Sequence, residues 1–342
     1  MGAPQPLVAF SAYDSMSAIR VLRPSLPRAV VLGVLLGTIA LNGMAYMHVR
    51  AMTHFIERGN RTPPPEHLRT TDKLRTLLTG VAVPRPHNTR TPAAVGLPYE
   101  THPIRVDDRL TLEAWLIRHP EPRGAVLLFH GYASSKEQLL DAARVLHGLG
   151  QVVVLVDFRG SGGSGGDRTS VGYDEARDVA AAMRWARVDL RLDRPVLYGT
   201  SMGAAAVLRA VAVEGVQPRA LVLEAPFDRL LTTVRHRFEA MRLPSFPGAE
   251  LLLFWASVQS GFNAFQHNPV DYARRVHVPT LILHGHDDPR VTEAEARAIY
   301  DRLPAAKVIE VFPNVGHGVT GVIPPETWRD VVGRFLSALS PN

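Results

Sequence analysis

The 342-residue chain contains no cysteine. That absence excludes a thiol nucleophile, a cysteine-based zinc site and any disulfide, and it leaves the redox compartment open. Lysine is nearly as scarce: Lys73, Lys136 and Lys307 are the only three among 38 basic residues. The net charge is +6, yet the arginines are scattered and form no basic stripe with interleaved aromatics. No nucleic-acid partner is expected from such a pattern. Internal repeats are also lacking. What is present is apolar: hydrophobic residues make up 46% of the chain and charged residues 20%, enough for a large core and too little charge for global disorder.

One long uncharged run stands out. Residues 29–49 lie between Arg28 and Arg50 and carry no formal charge. At a rise of ~1.5 Å per residue, about twenty residues cross a ~30 Å hydrocarbon layer. Position and flanking arginines favour a transmembrane signal anchor following a tail over 1–28, with the remainder of the chain on the non-cytoplasmic side. A buried core helix is the plain alternative. A cleaved leader is the other, because Gly43-Met44-Ala45 supplies small residues for cleavage after Ala45 and release as a secreted protein.

Residues 50–97 are rich in Arg, Thr and Pro and read as a linker with one short helix near 66–79. Beyond residue 98 the texture changes. Strand-like apolar runs at 111–118, 124–129, 151–156, 194–198, 219–224, 279–284 and 306–312 alternate with helix-period segments at 135–149, 174–188, 202–213, 292–302 and 326–339. Such alternation predicts an α/β domain over 98–342, with a parallel sheet covered on both faces. The interval 228–267 interrupts it with two apolar helical stretches carrying Phe238, Met241, Phe246, Leu251, Phe254, Trp255, Phe262 and Phe265. An insertion there is a candidate lid, or else a set of aromatics that only pack the insertion onto the body.

Three strand ends carry the chemistry. Gly199-Thr200-Ser201-Met202-Gly203 joins the strand 194–198 to the helix 202–213, a strand-to-helix turn that presents the Ser201 hydroxyl above a sheet. Asp288 follows the strand 279–284, and His317 follows 306–312. Strand ends of one parallel sheet share a rim, so a nucleophile, an acid and a base far apart in sequence can converge there. Candidate oxyanion donors are the backbone N–H groups of Tyr132, after the strand 124–129, and of Met202. Asp287 and Asp228 also lie at or beyond strand ends and compete with Asp288 for the acid's role.

Two other patterns invite different chemistry. Gly160-Ser161-Gly162-Gly163-Ser164-Gly165 fits G-x-G-x-x-G after a strand, but 166–172 continues as loop where a dinucleotide fingerprint needs a helix. His284, His286, Asp287, Asp288 and His317 include metal-ligand types, yet the proposed triad already employs two of them. Neither a metal nor a cofactor is expected.

From about residue 98 onward the chain resembles the α/β-hydrolase superfamily. The resemblance rests on Val126-Leu127-Leu128-Phe129-His130-Gly131, on Asp157-Phe158-Arg159-Gly160-Ser161-Gly162-Gly163-Ser164, on Gly-Thr-Ser-Met-Gly, and on His284-Gly285-x-x-Asp288-x-x-Val291 with Gly316-His317. It is similar in particular to bacterial membrane-anchored hydrolases with small helical lids. The resemblance implies an eight-stranded, mostly parallel sheet with a helical lid between the sixth and seventh strands. It also implies a Ser201-His317-Asp288 triad, since the acid-loop spacing favours Asp288. The expected activity is cleavage of a carboxylic ester of a small-molecule or lipid-like acyl substrate. The same triad would serve an amidase or aminopeptidase, and a non-catalytic ligand-binding scaffold is the rival of a different class.

Overall fold

In the computed structural model, which describes residues 27–64 and 67–339, the alternating segments form one eight-stranded sheet. Its strands are β1 (Glu100–Arg105), β2 (Thr111–Ile117), β3 (Gly124–Phe129), β4 (Gln151–Val156), β5 (Val196–Thr200), β6 (Leu221–Glu224), β7 (Thr280–Gly285) and β8 (Lys307–Phe312). The order is β1-β2-β4-β3-β5-β6-β7-β8. β1 and β2 form an antiparallel edge, and every pairing from β4 to β8 is parallel. The mostly parallel α/β sheet expected from the sequence is what the chain builds. β1 had escaped the sequence reading, because Ile104 is its one buried apolar side chain.

The helices are α1 (Arg28–Thr53), α2 (Thr70–Thr79), α3 (Leu140–Gly148), α4 (Glu175–Val188), α5 (Met202–Val213), α6 (Leu230–Ala240), α7 (Gly248–Ser260), α8 (Pro269–Ala273), α9 (Glu293–Arg302) and α10 (Pro325–Ala338). Both faces of the sheet are covered, and the period-2 alternation of the strands shows how. Val126, Leu128, Val153 and Leu155 point into a core shared with α3 and α10. Leu127, Phe129, Val154 and Val156 point the other way, into a core shared with α4, α5, α8 and α9. Central strands buried on both sides must be apolar at every position, as QVVVLV in β4 is.

The chain divides into two compact units at Leu41–Asn42. α1 is long and apolar enough to cross a membrane, a test that an N-terminal signal sequence also passes. Most of its side chains from Val30 to Ile39 are exposed. The greater part of the N-terminal tail, the first position of the helix expected near 66–79, and the last three residues lie outside the described residues. Within the second unit, the stretch 50–97 is held against the body at many points. Phe55 N–H donates to Asp167 O (2.7 Å), Ile56 N–H to Val83 O (3.0 Å), and Phe55 and Val83 are buried with Ala133.

Parallel register brings the carboxyl ends of the strands level. Phe129 pairs with Gly199, Thr200 with Glu224, and Gly285 with Phe312. The loops that leave these positions carry the candidate site residues.

Candidate active site

β5 ends at Thr200 and the chain turns through Ser201 directly into α5. Ser201 has φ 52° and ψ −109°, a positive-φ geometry that residues with a Cβ rarely adopt. Close backbone approach around the turn excludes side chains on either flank. A Cβ on Gly199 would meet Gly203 O at 2.5 Å, and one on Gly203 would meet Phe129 O at 2.3 Å. The Ser201 N–H donates to Glu224 O at 2.8 Å, which ties the turn to β6.

The structure brings Ser201, His317 and Asp288 together. His317 Nε2 lies 3.1 Å from Ser201 Oγ, and its Nδ1 lies 2.7 Å from Asp288 Oδ2. Asp288 Oδ1 accepts the N–H groups of Arg290 (2.8 Å) and Val291 (3.1 Å). Burial pushes the Asp288 carboxyl upward, but the contact with His317 and the two N–H donors outweigh it and hold the group below its ordinary range. The competing carboxylates are elsewhere. Asp228 faces Arg229 at 3.7 Å, and Asp287 is exposed with its N–H donated to Val315 O.

The loop after β3 runs past the serine: a Cβ on Gly131 would stand 3.8 Å from Ser201 Cβ. Among the described residues, no protein acceptor takes the N–H of Tyr132 or of Met202. Met202 opens α5, where first-turn N–H groups lack intrahelical partners. His130 braces this loop. Its Nε2 accepts the Phe158 N–H (3.0 Å) while Nδ1 lies 2.8 Å from Gly131 O, and burial lowers the proton affinity of the ring. The Gly-rich stretch 160–165 is a loop pinned by Asp157, which accepts from Gly163 N–H (3.0 Å) and pairs with the fully buried Lys136 ammonium. α4 begins only at Glu175, so no helix opens within that motif. No group of three or more His, Asp or Glu side chains stands where it could hold a metal ion among the described residues.

Two supports went unread in the sequence. Glu224, at the end of β6 and buried, holds the loop that carries His317. Its Oε1 accepts Val319 N–H (2.7 Å) and Thr320 N–H (3.1 Å), and its Oε2 accepts the hydroxyls of Thr320 and of Tyr198. A carboxylate closing the apolar run Leu221-Val222-Leu223 is the one signal that pointed to it. The second support is Tyr132, whose hydroxyl donates to Met52 O at 2.6 Å near the end of α1. Residues far outside the expected α/β domain therefore steady the side chain next to a candidate oxyanion donor.

α6 and α7 occupy the expected lid interval and are tied to each other by Arg235 and Glu250. Several of the lid aromatics are engaged in packing. Trp255 Nε1–H donates to Asn42 Oδ1 (3.2 Å) and its ring meets Tyr46 edge-on at 5.4 Å, while Phe262 stacks on Tyr173 at 3.7 Å. Phe246 and Phe254 are exposed, at 74% and 49%. Lys73 of α2 donates to Ala240 O at 3.1 Å, so the stretch 50–97 holds the last residue of α6.

Comparison with known proteins agrees with this architecture. A family model described as serine aminopeptidase, S33, matches residues 120–244, and one described as PhoPQ-activated pathogenicity-related protein matches 263–335. Rv2307c of Mycobacterium tuberculosis is 30% identical over 239 residues, covering 68% of this chain and 78% of that protein. Lysophosphatidylserine lipase ABHD12 of Macaca fascicularis is 28% identical over 193 residues, covering 55% of this chain and 47% of that protein. The Pyrococcus furiosus esterase Pf2001 superposes with a TM-score of 0.64 at 26% identity, over 75% of this chain and 97% of the esterase. The chain belongs to the α/β-hydrolase superfamily.

Proposed function

We propose that the chain is a membrane-anchored serine hydrolase that cleaves a carboxylic ester through an acyl-enzyme. The observation that carries this reading is the continuous line from Asp288 Oδ2 through His317 to Ser201 Oγ. Neutral His317 takes the hydroxyl proton as Ser201 Oγ bonds to the ester carbonyl carbon. Asp288 holds the proton on Nδ1, leaving Nε2 as the acceptor, and stabilises the imidazolium that forms. The carbonyl oxygen, now anionic, is received by the N–H groups of Tyr132 and Met202. Collapse expels the alcohol with the proton from Nε2, and water repeats the sequence on the acyl-serine to release the acid.

Esters are favoured because this chain shares its fold with the esterase and part of its sequence with the lipase named above, and because exposed apolar side chains on the lid suit an acyl chain. The matched aminopeptidase model supports the second reading, amide cleavage by the same residues. Retention of α1 is supported by its continuity through Ala45 and by the Trp255–Asn42 hydrogen bond, which cleavage after Ala45 would remove. A fluorophosphonate probe should label the purified chain and fail to label Ser201→Ala. Equal labelling of both would sink the reading, and a panel of p-nitrophenyl esters against aminoacyl anilides separates ester from amide cleavage.

A further inference from the structure

α7 holds α1 at two points. Trp255 Nε1–H donates to Asn42 Oδ1 (3.2 Å), and one turn further along both helices Gln259 Nε2–H donates to Tyr46 O (2.9 Å). α7 therefore lies alongside the end of α1. The part of α1 that precedes this contact is short for a membrane span. Residues 29–41 rise about 20 Å at ~1.5 Å per residue, against a hydrocarbon layer of ~30 Å. The uncharged run continues through the contact to Val49, so the remaining ~10 Å falls on the stretch that α7 covers on one side.

The outward side of α7 is apolar where a helix facing water would be polar. Leu251, Phe254 and Val258 stand at i, i+3 and i+7, one stripe of the helix, and Phe254 and Val258 are exposed. Tyr46, edge-on to the Trp255 ring, is exposed as well, and so is Met47 beside it in the chain. One residue in five of the whole chain is charged, yet 251–270 contains no Asp, Glu, Lys or Arg. Polar side chains of α7 turn to protein, as a helix facing lipid requires: Ser257 Oγ–H donates to Leu253 O (2.8 Å), and Trp255 and Gln259 donate to α1. Glu250, in the first turn, pairs with Arg235. On the inner side, Leu253 packs in one cluster with Ala205 of α5 and Val291 of the acid loop.

We propose that the outer side of α7, with Tyr46 and Met47, rests in the acyl-chain boundary of the bilayer that α1 crosses. The inference rests on the reading of α1 as a retained anchor, and it adds a second membrane contact made by the lid. Apolar helix faces settle about 5–10 Å into that boundary, and Trp and Tyr are enriched at its level. That depth matches what the length of α1 leaves over. A second copy of the chain would cover the same face but would leave the short span unmatched. The contact also sets an orientation: the rim carrying Ser201, Asp288 and His317 turns toward the bilayer, and an acyl chain reaches the lid without crossing water.

Because the chain has no cysteine, a single introduced thiol carries a nitroxide without background. Labels are placed in full-length chains at Phe254→Cys and Val258→Cys on α7 and at Leu35→Cys in α1. A fourth goes at Val188→Cys, exposed at the end of α4 and so at the amino-terminal rim of the sheet. All four side chains are exposed, so no substitution opens the core, and an unchanged melting temperature checks each labelled chain. In phosphatidylcholine vesicles, collision rates are measured with oxygen, which concentrates in lipid, and with a water-soluble nickel chelate. The oxygen-to-nickel ratio at Phe254 and Val258 should exceed that at Val188 severalfold and approach that at Leu35. Ratios at both α7 positions equal to that at Val188, with Leu35 in lipid, overturn the proposal and leave the anchor standing. Shielding of both positions from both reagents, with spin–spin broadening between chains, also overturns it and assigns the face to a second copy. A Leu35 label open to nickel sinks the anchor reading; the α7 contact then stands if Phe254 and Val258 still favour oxygen and falls if they do not.

Discussion

Replacing Asp288 by Asn changes one atom and should nearly abolish turnover. The reason lies in how the carboxylate is held. Asp288 Oδ1 accepts two backbone N–H groups, from Arg290 and Val291, while Oδ2 faces His317 Nδ1. An asparagine at this position keeps its carbonyl oxygen toward the two N–H donors, because an amide NH₂ there would face donors with a donor. Its NH₂ must then point at His317 Nδ1. That contact is satisfied only if Nδ1 has no proton, so the neutral ring carries its proton on Nε2 and donates toward Ser201 Oγ. The base has lost its acceptor. In the serine-protease triad the same inversion of tautomer costs about 10⁴ in turnover. We expect Asp288→Asn to lose about three to four orders of magnitude in kcat on p-nitrophenyl butyrate, with little change in KM or in the unfolding midpoint. Asp287→Asn and Asp228→Asn, at carboxylates that do not hold the imidazole, should stay within about tenfold of wild type on the same principle. Activity retained in Asp288→Asn together with a crippled Asp228→Asn would refute the assignment.

Glu224→Ala strands the buried Val319 N–H and the half-buried Thr320 N–H, so it should cost about 2–5 kcal/mol in urea unfolding and about ten- to a hundredfold in kcat, whereas Glu224→Gln keeps one acceptor and should recover most of both. A kcat within twofold of wild type in Glu224→Ala would remove its positioning role. Phe254→Ala should lower kcat/KM for dodecanoyl esters about threefold or more relative to butanoyl esters, on the hydrophobic contribution of a partly exposed aromatic, while Trp255→Ala should lower thermal stability and both activities together. Parallel losses on both chain lengths in Phe254→Ala would show that the lid only packs. A chain beginning at Asn42 should keep the wild-type rate on short activated esters and its melting temperature, but one beginning at residue 60 loses Met52 and Phe55 and should melt several degrees lower; equal melting temperatures would contradict a bracing role for that segment.

Local rules made the sheet, the strand–helix order and the serine turn legible in the sequence. The β4 run reads as a doubly buried strand because every position is apolar, and Gly199-x-Ser201-x-Gly203 reads as a tight turn because only glycine admits backbone at 2.3–2.5 Å. Strand ends at 129, 198, 284 and 312, within two residues of those in the structure, follow from those runs, and with them the rim on which Ser201, Asp288 and His317 meet. β1 was not legible, since ETHPIR has one apolar side chain to bury and becomes a strand only by pairing with β2. Strand-end position alone left Asp228, Asp287 and Asp288 open and only the resemblance in acid-loop spacing favoured Asp288, because which carboxylate reaches an imidazole is a matter of loop geometry across 29 residues. The place of 50–97 was equally hidden: Arg, Thr and Pro are read as linker residues by composition, yet Phe55 and Val83 find a cluster with Ala133 that no local pattern announces. Glu224, Arg61, which donates to Ala133 O, and Arg237, which lies over the Tyr132 ring, share that cause. Each acts through partners brought close by parallel register and by the lid's packing, contacts between distant residues that exist only once the chain has folded.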